Sequence, residues 1–228
     1  MNSTQPITVL LVEDHQIVRE GLRTLLQAET DLEVVGEAAS GRQAVELANK
    51  LHPAVIVMDI AMPLLNGLEA TRQILKAMPG TRVLMLSAHS DDAYVEQVLA
   101  LGAAGYLIKQ TAAHILPKAI REVAKGNIYF SPAIAKRFAH HQQQTPGRLG
   151  GLKKKIAQLT SREMEVLQLV AEGKANKETA SELGIGIKTV EKHREHLMEK
   201  LNIHDTAGLT RYAISAGIIE SSVQLTIV

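Results

Sequence analysis

The sequence predicts an α/β unit built on a doubly wound, five-stranded parallel sheet, followed by a small all-α unit. Three observations predict it. Apolar runs of strand length alternate with helical patterns five times over residues 7–125. The run "AVIVMD" at 54–59 is apolar up to its last residue, as a strand buried on both faces is. The alternation stops near residue 131, and from 156 onward only short helical patterns remain. Repeated β-α units call for parallel strands joined by right-handed crossovers, which put helices on both faces of the sheet.

The elements run in order along the chain. Strands are expected at "ITVLLV" (7–12), "LEVVGEA" (32–38), "AVIVMD" (54–59), "RVLMLS" (82–87) and "GYLIK" (105–109). Helical patterns occupy 15–28, 41–50, 66–77, 91–101 and 112–125. Residues 1–130 therefore form the first domain. The stretch 131–155 reads as a linker, because "TPGRLGGLKKK" combines a proline, three glycines and a lysine run. The pair His140-His141 within it is a polar linker feature, since no further ligand follows at metal-site spacing. Residues 156–228 form the second domain. Its first helix starts at the capping box "TSRE" (160–163), which pairs Thr160 with Glu163. A second helix is expected at 176–183, a third at about 187–201 and a fourth at about 205–216.

The composition sets bounds. With 46% hydrophobic and 21% charged residues the chain is globular. It contains no cysteine, so disulfides and thiolate metal sites are excluded. No apolar run reaches the roughly 18 residues of a membrane span, and the N-terminus lacks the basic start of a signal peptide. A cytoplasmic protein without a membrane partner is expected. The net charge of +1 conceals an asymmetry. Eleven basic residues face fourteen acidic ones up to residue 130, and fourteen face ten beyond it. The basic half is the better candidate for a polyanion.

Chemistry collects at the strand ends. The third strand ends on Asp59, and the first runs into Glu13-Asp14. In a doubly wound sheet, sites form at the carboxyl edge near the reversal of strand order. Acids there also serve as turn formers and helix caps. Three carboxylates in one cleft repel one another unless a cation joins them, and an all-oxygen site with open positions suits Mg²⁺. The fourth strand ends on the hydroxyl of Ser87 and the fifth on the amine of Lys109. Acid, hydroxyl, metal and lysine together describe a pocket for a phosphoryl group, with Asp59 as the nucleophile that receives it.

Residues 7–125 resemble a response-regulator receiver domain, a flavodoxin-like fold. The resemblance rests on Glu13-Asp14, on Asp59 followed by Met62-Pro63 and Asn66-Gly67, on Ser87-Ala88, and on "GAAGYLIK" ending at Lys109. It implies that Asp59 takes phosphate from the phosphohistidine of a sensor histidine kinase. It implies that Glu13, Asp14, Asp59 and the Ala61 carbonyl hold Mg²⁺, that Ser87 and Lys109 bind the phosphate, and that Tyr106 swings inward with Ser87. Gln110 departs from the family, which often has a cis-proline after the lysine.

In the basic half, residues 176–200 give a short helix, a Gly-containing turn and a longer helix, the spacing of a helix-turn-helix. At 100° per residue, Val190, His193, Leu197 and Leu201 share the core face of the longer helix, while Lys188, Glu191, Lys192 and Glu195 point away. Those four are either a solvated face or part of a recognition surface. The segments "LTSRE", "NKETA" and "KTVEKH" resemble the LuxR-type helix-turn-helix. With a receiver ahead of it, the chain resembles the NarL/FixJ family of response regulators. That implies a transcription regulator, not an enzyme, in which phosphorylation controls binding to double-stranded DNA. Lys188, Thr189, Lys192 and Arg194 are the expected DNA contacts, and a homodimer on activation is the expected binding form. Glu191 and Glu195, close to phosphates, would discourage non-specific binding. Ala175 and Gly186 stand where serine caps are usual, so the second helix is expected to rely on Asn176 for its start. The alternative is a phosphotransfer or protein-interaction module whose C-terminal helices bind protein instead of DNA; salt-dependent binding to duplex DNA separates the two.

Overall fold

Strand order, more than any single helix, decides which side chains meet at the sheet edge. The computed structural model describes residues 5–88, 95, 98, 100–131, 134 and 159–219. The chain divides into two units, Met1–Gly150 and Gly151–Val228. The expected linker, with His140 and His141, lies almost wholly outside the described residues.

The first unit contains β1 (Ile7–Val12), α1 (Gln16–Gln27), β2 (Leu32–Ala38), α2 (Gly41–Leu51), β3 (Val55–Asp59), α3 (Gly67–Ala77), β4 (Arg82–Ser87), β5 (Gly105–Ile108), α4 (Lys109–Ala124) and β6 (Tyr129–Phe130). All strands are parallel, in the order β2-β1-β3-β4-β5-β6. The order reverses at β1, so β1 and β3 lie side by side with Val12 opposite Met58. The carboxyl ends of these two strands therefore share one edge. Of the helix expected over 91–101, residues 95, 98 and 100 are described, and all three are helical.

Both faces of the sheet are core, as the uninterrupted apolar runs require. Leu10, Val12, Ile56, Met58, Met85 and Tyr106 pack into one cluster with Ala44 and Ala48 of α2 and Ala70 and Ile74 of α3. Val9, Leu11, Val57, Leu84, Leu86 and Leu107 alternate with them and pack against Leu26 of α1 and Leu116, Ala119 and Ile120 of α4. The period of two is intact under a sequence that shows no polar alternation.

Two expectations need correction. The sheet has six strands, not five, because Tyr129–Phe130 pairs with Gly105–Tyr106. Two residues are too few to show a strand period. Gly105 makes the pairing possible: a Cβ there would stand 2.3 Å from the Tyr129 carbonyl oxygen. Lys109 does not end β5 but opens α4 directly after Ile108. A proline at 110 would push its predecessor out of the helical region. Gln110 imposes no such restriction, so the helix starts at once.

The second unit contains α5 (Ser161–Ala171), α6 (Asn176–Leu183), α7 (Ile187–Leu201) and α8 (Thr206–Ser215). Its start matches the expected capping box. The Glu163 amide donates to Thr160 Oγ1 at 3.3 Å, and the Thr160 amide donates to Glu163 Oε2 at 2.8 Å. The Lys200 ammonium of α7 meets the same Glu163 carboxylate at 2.7 Å. One buried side chain thus caps α5 and ties it to α7. The start of α6 departs from expectation. Ala175 is the N-cap and has no side-chain oxygen to offer. Glu178 instead reaches back to accept from the Ala175 amide at 2.8 Å.

Burial alone would raise the Glu163 pKa; bonds from Lys200 and Thr160 outweigh it and hold the carboxyl below the usual glutamate value. A carboxyl with a depressed native pKa adds stability that is full above its ordinary pKa and lost as pH falls through the native one. Glu163→Ala is expected to cost the second unit about 1–2 kcal/mol at pH 7, by loss of the cap and the ion pair. The deficit should shrink as the pH is lowered below about 4. Urea midpoints followed by helical circular dichroism at a series of pH values check both sign and window.

Candidate functional site

Four chain segments converge on the carboxyl edge at the β1–β3 reversal. Glu13 follows the last residue of β1, and Asp14 and His15 lead into α1. Asp59 is the last residue of β3, Ser87 the last of β4, and Lys109 the first of α4. Glu13, Asp59 and Ser87 are buried, Asp14 and Lys109 are half-buried, and His15 is exposed.

Helix capping explains neither strand-end acid. The N-cap of α1 is His15, with no side-chain cap bond. The N-cap of α3 is Asn66, whose Oδ1 accepts from the Glu69 amide at 2.9 Å. Asp59 is held where it is by the chain behind it. The Gly67 amide donates to the Ile60 carbonyl at 2.9 Å, and the Ile60 amide donates to the Leu86 carbonyl at 3.0 Å. A Cβ on Gly67 would lie 1.9 Å from the Asp59 carbonyl oxygen, so only glycine lets α3 begin this close to the strand end.

The Lys109 ammonium lies 2.8 Å from Asp59 Oδ2 and 2.8 Å from Glu13 Oε2. It also donates to Glu13 Oε1 at 3.1 Å. Asp59 Oδ1 is buried and has no hydrogen-bond donor among the described residues. Ligand atoms of Glu13, Asp14, His15 and Asp59 all lie within 4.8 Å of one another. His15 Nδ1 stands 2.9 Å from Asp14 Oδ1 and 3.2 Å from Glu13 Oε1. No sequence pattern singles out this histidine; its only signal is its place directly after the acidic pair.

The electrostatics reflect the count of charges. Burial, reinforced by the Glu13 charge, pushes the Asp59 carboxyl up to about 7, against the pull of Lys109. Burial alone would lower the Lys109 pKa, but the Asp59 charge and bonds to Asp59 and Glu13 outweigh it and raise it. The Asp14 charge, ahead of the opposing effect of burial, raises His15. One ammonium does not neutralise three carboxylates. An orphaned buried carboxylate oxygen within an oxygen-rich cluster fits a hard divalent cation.

Tyr106 is fully buried and turned inward in the cluster with Ile108, Val83 and Phe130. Ala61, half-buried, is the second residue of the loop that leaves Asp59.

In the second unit, α6 ends at Gly184, in the left-handed conformation with φ of +61°, and α7 starts after Gly186. Val190, Leu197 and Leu201 of α7 are buried and His193 is half-buried, while Lys188, Thr189, Glu191, Lys192 and Glu195 are exposed. Arg194 sits differently. Its guanidinium donates to Asn176 Oδ1 at 3.2 Å and to Thr206 Oγ1, joining α7 to the starts of α6 and α8. Among the described residues, no helix is long and apolar enough to cross a membrane.

The profile of the response regulator receiver domain matches residues 9–121, and that of bacterial regulatory proteins of the luxR family matches residues 157–213. The transcriptional regulatory protein DegU of Brevibacillus brevis is 37% identical over 225 residues, covering 94% of this chain and 95% of the relative. The response regulator protein VraR of Staphylococcus aureus is 36% identical over 214 residues, covering 94% and 99%. Among solved structures, RcsB of Salmonella typhimurium aligns over 93% of this chain and 100% of its own, with 27% identity and a TM-score of 0.56. RcsB dimers bound to DNA align over 93% and 99%, with 26% identity and a TM-score of 0.58.

A receiver unit with an acidic edge, ahead of a LuxR-type helix-turn-helix, defines a response regulator. The chain belongs to the NarL/FixJ family of two-component response regulators, a family of transcription regulators.

The excess of buried negative charge predicts a stability change. Asp59 holds its proton more tightly when folded, so wild-type stability should rise as pH falls from about 8 toward about 5. Without divalent cation, Asp59→Asn should melt several degrees above wild type at about pH 8. The gap should narrow at about pH 5, and also when millimolar Mg²⁺ stabilises the wild type. Thermal melts at two pH values, with Mg²⁺ or with EDTA, measure it.

Proposed function

We propose that Asp59 is the phosphoacceptor and that its phosphorylation by a sensor histidine kinase controls DNA binding by the second unit. The observation that carries this reading is the Asp59 carboxylate itself: buried, at a strand end, with Oδ1 lacking a donor among the described residues and Lys109 at 2.8 Å from Oδ2. An Asp59 oxygen attacks phosphorus, the P–N bond of the phosphohistidine breaks, and the departing imidazole takes up a proton. Lys109 follows the charge from the carboxylate to the phosphoryl oxygens. The Ser87 hydroxyl donates a hydrogen bond to one phosphoryl oxygen. Tyr106, already inward, fills the space beside Ser87.

Glu13, Asp14, Asp59 and the Ala61 carbonyl are the residues to hold Mg²⁺. When bound, the ion supplies positive charge to phosphoryl oxygens that the acidic pocket would otherwise repel. No part of this reading calls for turnover of a free substrate, so the chain acts as a switch and not as an enzyme.

The output depends on α7. Lys188, Thr189 and Lys192 lie on its exposed face, suited to the major groove of double-stranded DNA. Arg194, by contrast, is a positioning residue, since its guanidinium is engaged by Asn176 and Thr206. A unit this small offers little contact area, which favours a two-fold dimer on paired half-sites. The DNA-bound dimers of RcsB support that reading. Action in the cytoplasm accords with a kinase and DNA as partners.

Two outcomes test the proposal. With Mg²⁺ and a small-molecule phosphoryl donor, the intact chain should gain one phosphate that hydroxylamine removes, and Asp59→Asn should gain none by intact-mass measurement. Phosphate uptake by the variant at the wild-type level contradicts the assignment. Lys192→Ala should lose roughly 1–3 kcal/mol of discrimination at one base position if Lys192 reads guanine. A uniform loss across sequences, with a salt slope smaller by about one, marks a phosphate contact instead.

A further inference from the structure

The exposed strip of α7 carries both signs of charge, and they do not neutralise each other. Elsewhere in the chain, three pairs of opposite charges three residues apart close into ion pairs, Glu69–Arg72 at 2.7 Å, Glu122–Lys125 at 2.9 Å and Arg162–Glu165 at 2.7 Å, while Arg23, three residues past Glu20, turns to Glu37 instead. Lys188–Glu191 and Lys192–Glu195 have the same spacing and are exposed. Neither pair closes, and none of the four side chains has a hydrogen-bond or ion-pair partner among the described residues. Four charged tips stand free on one side of a helix whose opposite side is core. The helix is held from behind, by Lys200 on Glu163 and by Arg194 on Asn176 and Thr206.

We propose that Glu191 reads a cytosine, accepting a hydrogen bond from its N4 amino group in the major groove. This rests on the DNA-binding reading of α7. Glu191 is the fifth residue of α7, in the N-terminal part from which a recognition helix reaches base edges. Glu195 lies one turn further along. Lys188 and Lys192 lie on the same side of Glu191 around the helix, about 60° and 100° from it, one before and one after it along the chain. Their charges offset the repulsion between a carboxylate and the DNA phosphates, which otherwise keeps acids out of the groove.

Base chemistry then selects the partner. Cytosine presents only a donor in the major groove. Guanine presents two acceptors, and thymine an acceptor and a methyl group, so each repels or fails to bind a carboxylate. Adenine has a donor, but its N7 acceptor lies beside it. A carboxylate on this strip therefore favours cytosine. Its neighbour Lys192 is placed to donate to a guanine of the same or an adjacent pair. Glu191 is thus a specificity residue, not only a brake on non-specific binding.

The test is a selection from random double-stranded DNA. The full chain is used at fixed salt with Mg²⁺ and a small-molecule phosphoryl donor, as wild type, Glu191→Ala and Glu191→Gln. Equal thermal midpoints establish that the exposed substitutions leave the fold intact. The wild-type site should carry a fixed cytosine in each half-site. Glu191→Ala should keep the rest of the site and lose that preference, with discrimination falling on the order of tenfold to a hundredfold there. Glu191→Gln should shift the position toward adenine, which a glutamine amide binds through N6 and N7. If both variants select the wild-type site unchanged, or bind all sequences more tightly without a change of preference, the cytosine contact is overturned. If the wild type enriches no sequence at all, the failure lies with α7 as a DNA-reading helix, and the Glu191 contact falls with it.

Discussion

Two carboxylates, Glu13 and Asp59, are buried at one sheet edge around a single ammonium. This unbalanced charge is what the first unit is organised to sustain. Parallel strands in the order β2-β1-β3 bring the two acids together, because β1 and β3 are neighbours although α1, β2 and α2 separate them in sequence. Gly67 lets α3 start against the Asp59 backbone. The direct passage of β5 into α4 sets Lys109 between the acids. The result is a carboxyl pushed up to about 7 and an oxygen atom with no donor among the described residues. Such a pocket gains when positive charge enters it, and a phosphoryl group arriving with a divalent cation is chemistry of that kind.

The second unit solves a different problem. It has to present charge, not bury it. Its buried ionic contacts sit behind α7, where Glu163 serves Thr160 and Lys200 at once. Arg194 adds a tie to the starts of the two flanking helices. The exposed strip of α7 is left with lysines and glutamates that have no partner among the described residues. Only the backbone of the helix is preorganised; the lysine and glutamate tips give up their rotamer freedom on binding, so contacts that hold them in one geometry decide the selectivity.

Much of this is legible in the sequence, for physical reasons that differ by element. Strands buried on both faces announce themselves as apolar runs, and the observed β1, β2 and β4 coincide with those expected. The box at Thr160–Glu163 is legible because capping chemistry is local. What escapes is what depends on tertiary approach. Tyr129–Phe130 becomes a strand only because Gly105 admits it, and no local pattern encodes that pairing. Lys109 reads as a strand end because the apolar run leads straight into it; the absence of a proline at 110 is visible in the sequence, but its consequence for the helix start is not. Asn176 is the expected start of α6, whereas a glutamate three residues past the N-cap closes that end. Arg194 is expected beside the outward face as a DNA contact, and its bonds to Asn176 and Thr206, 18 residues before it and 12 after it, are not encoded by any local pattern. His15 carries no periodic signal and emerges only from its nearness to two carboxylates.

The central claim is that charge chemistry at Asp59 in the first unit governs what α7 of the second unit does. The most direct measurement is the affinity of the full chain for its selected DNA site, at fixed salt, before and after phosphorylation in Mg²⁺. Linkage requires that any effect of phosphate on DNA affinity be matched by an effect of DNA on the phosphorylation equilibrium. The account predicts tighter binding by the phosphorylated chain, by at least about fivefold, the lower end of typical coupling between sites. Identical affinity in the two states would contradict it.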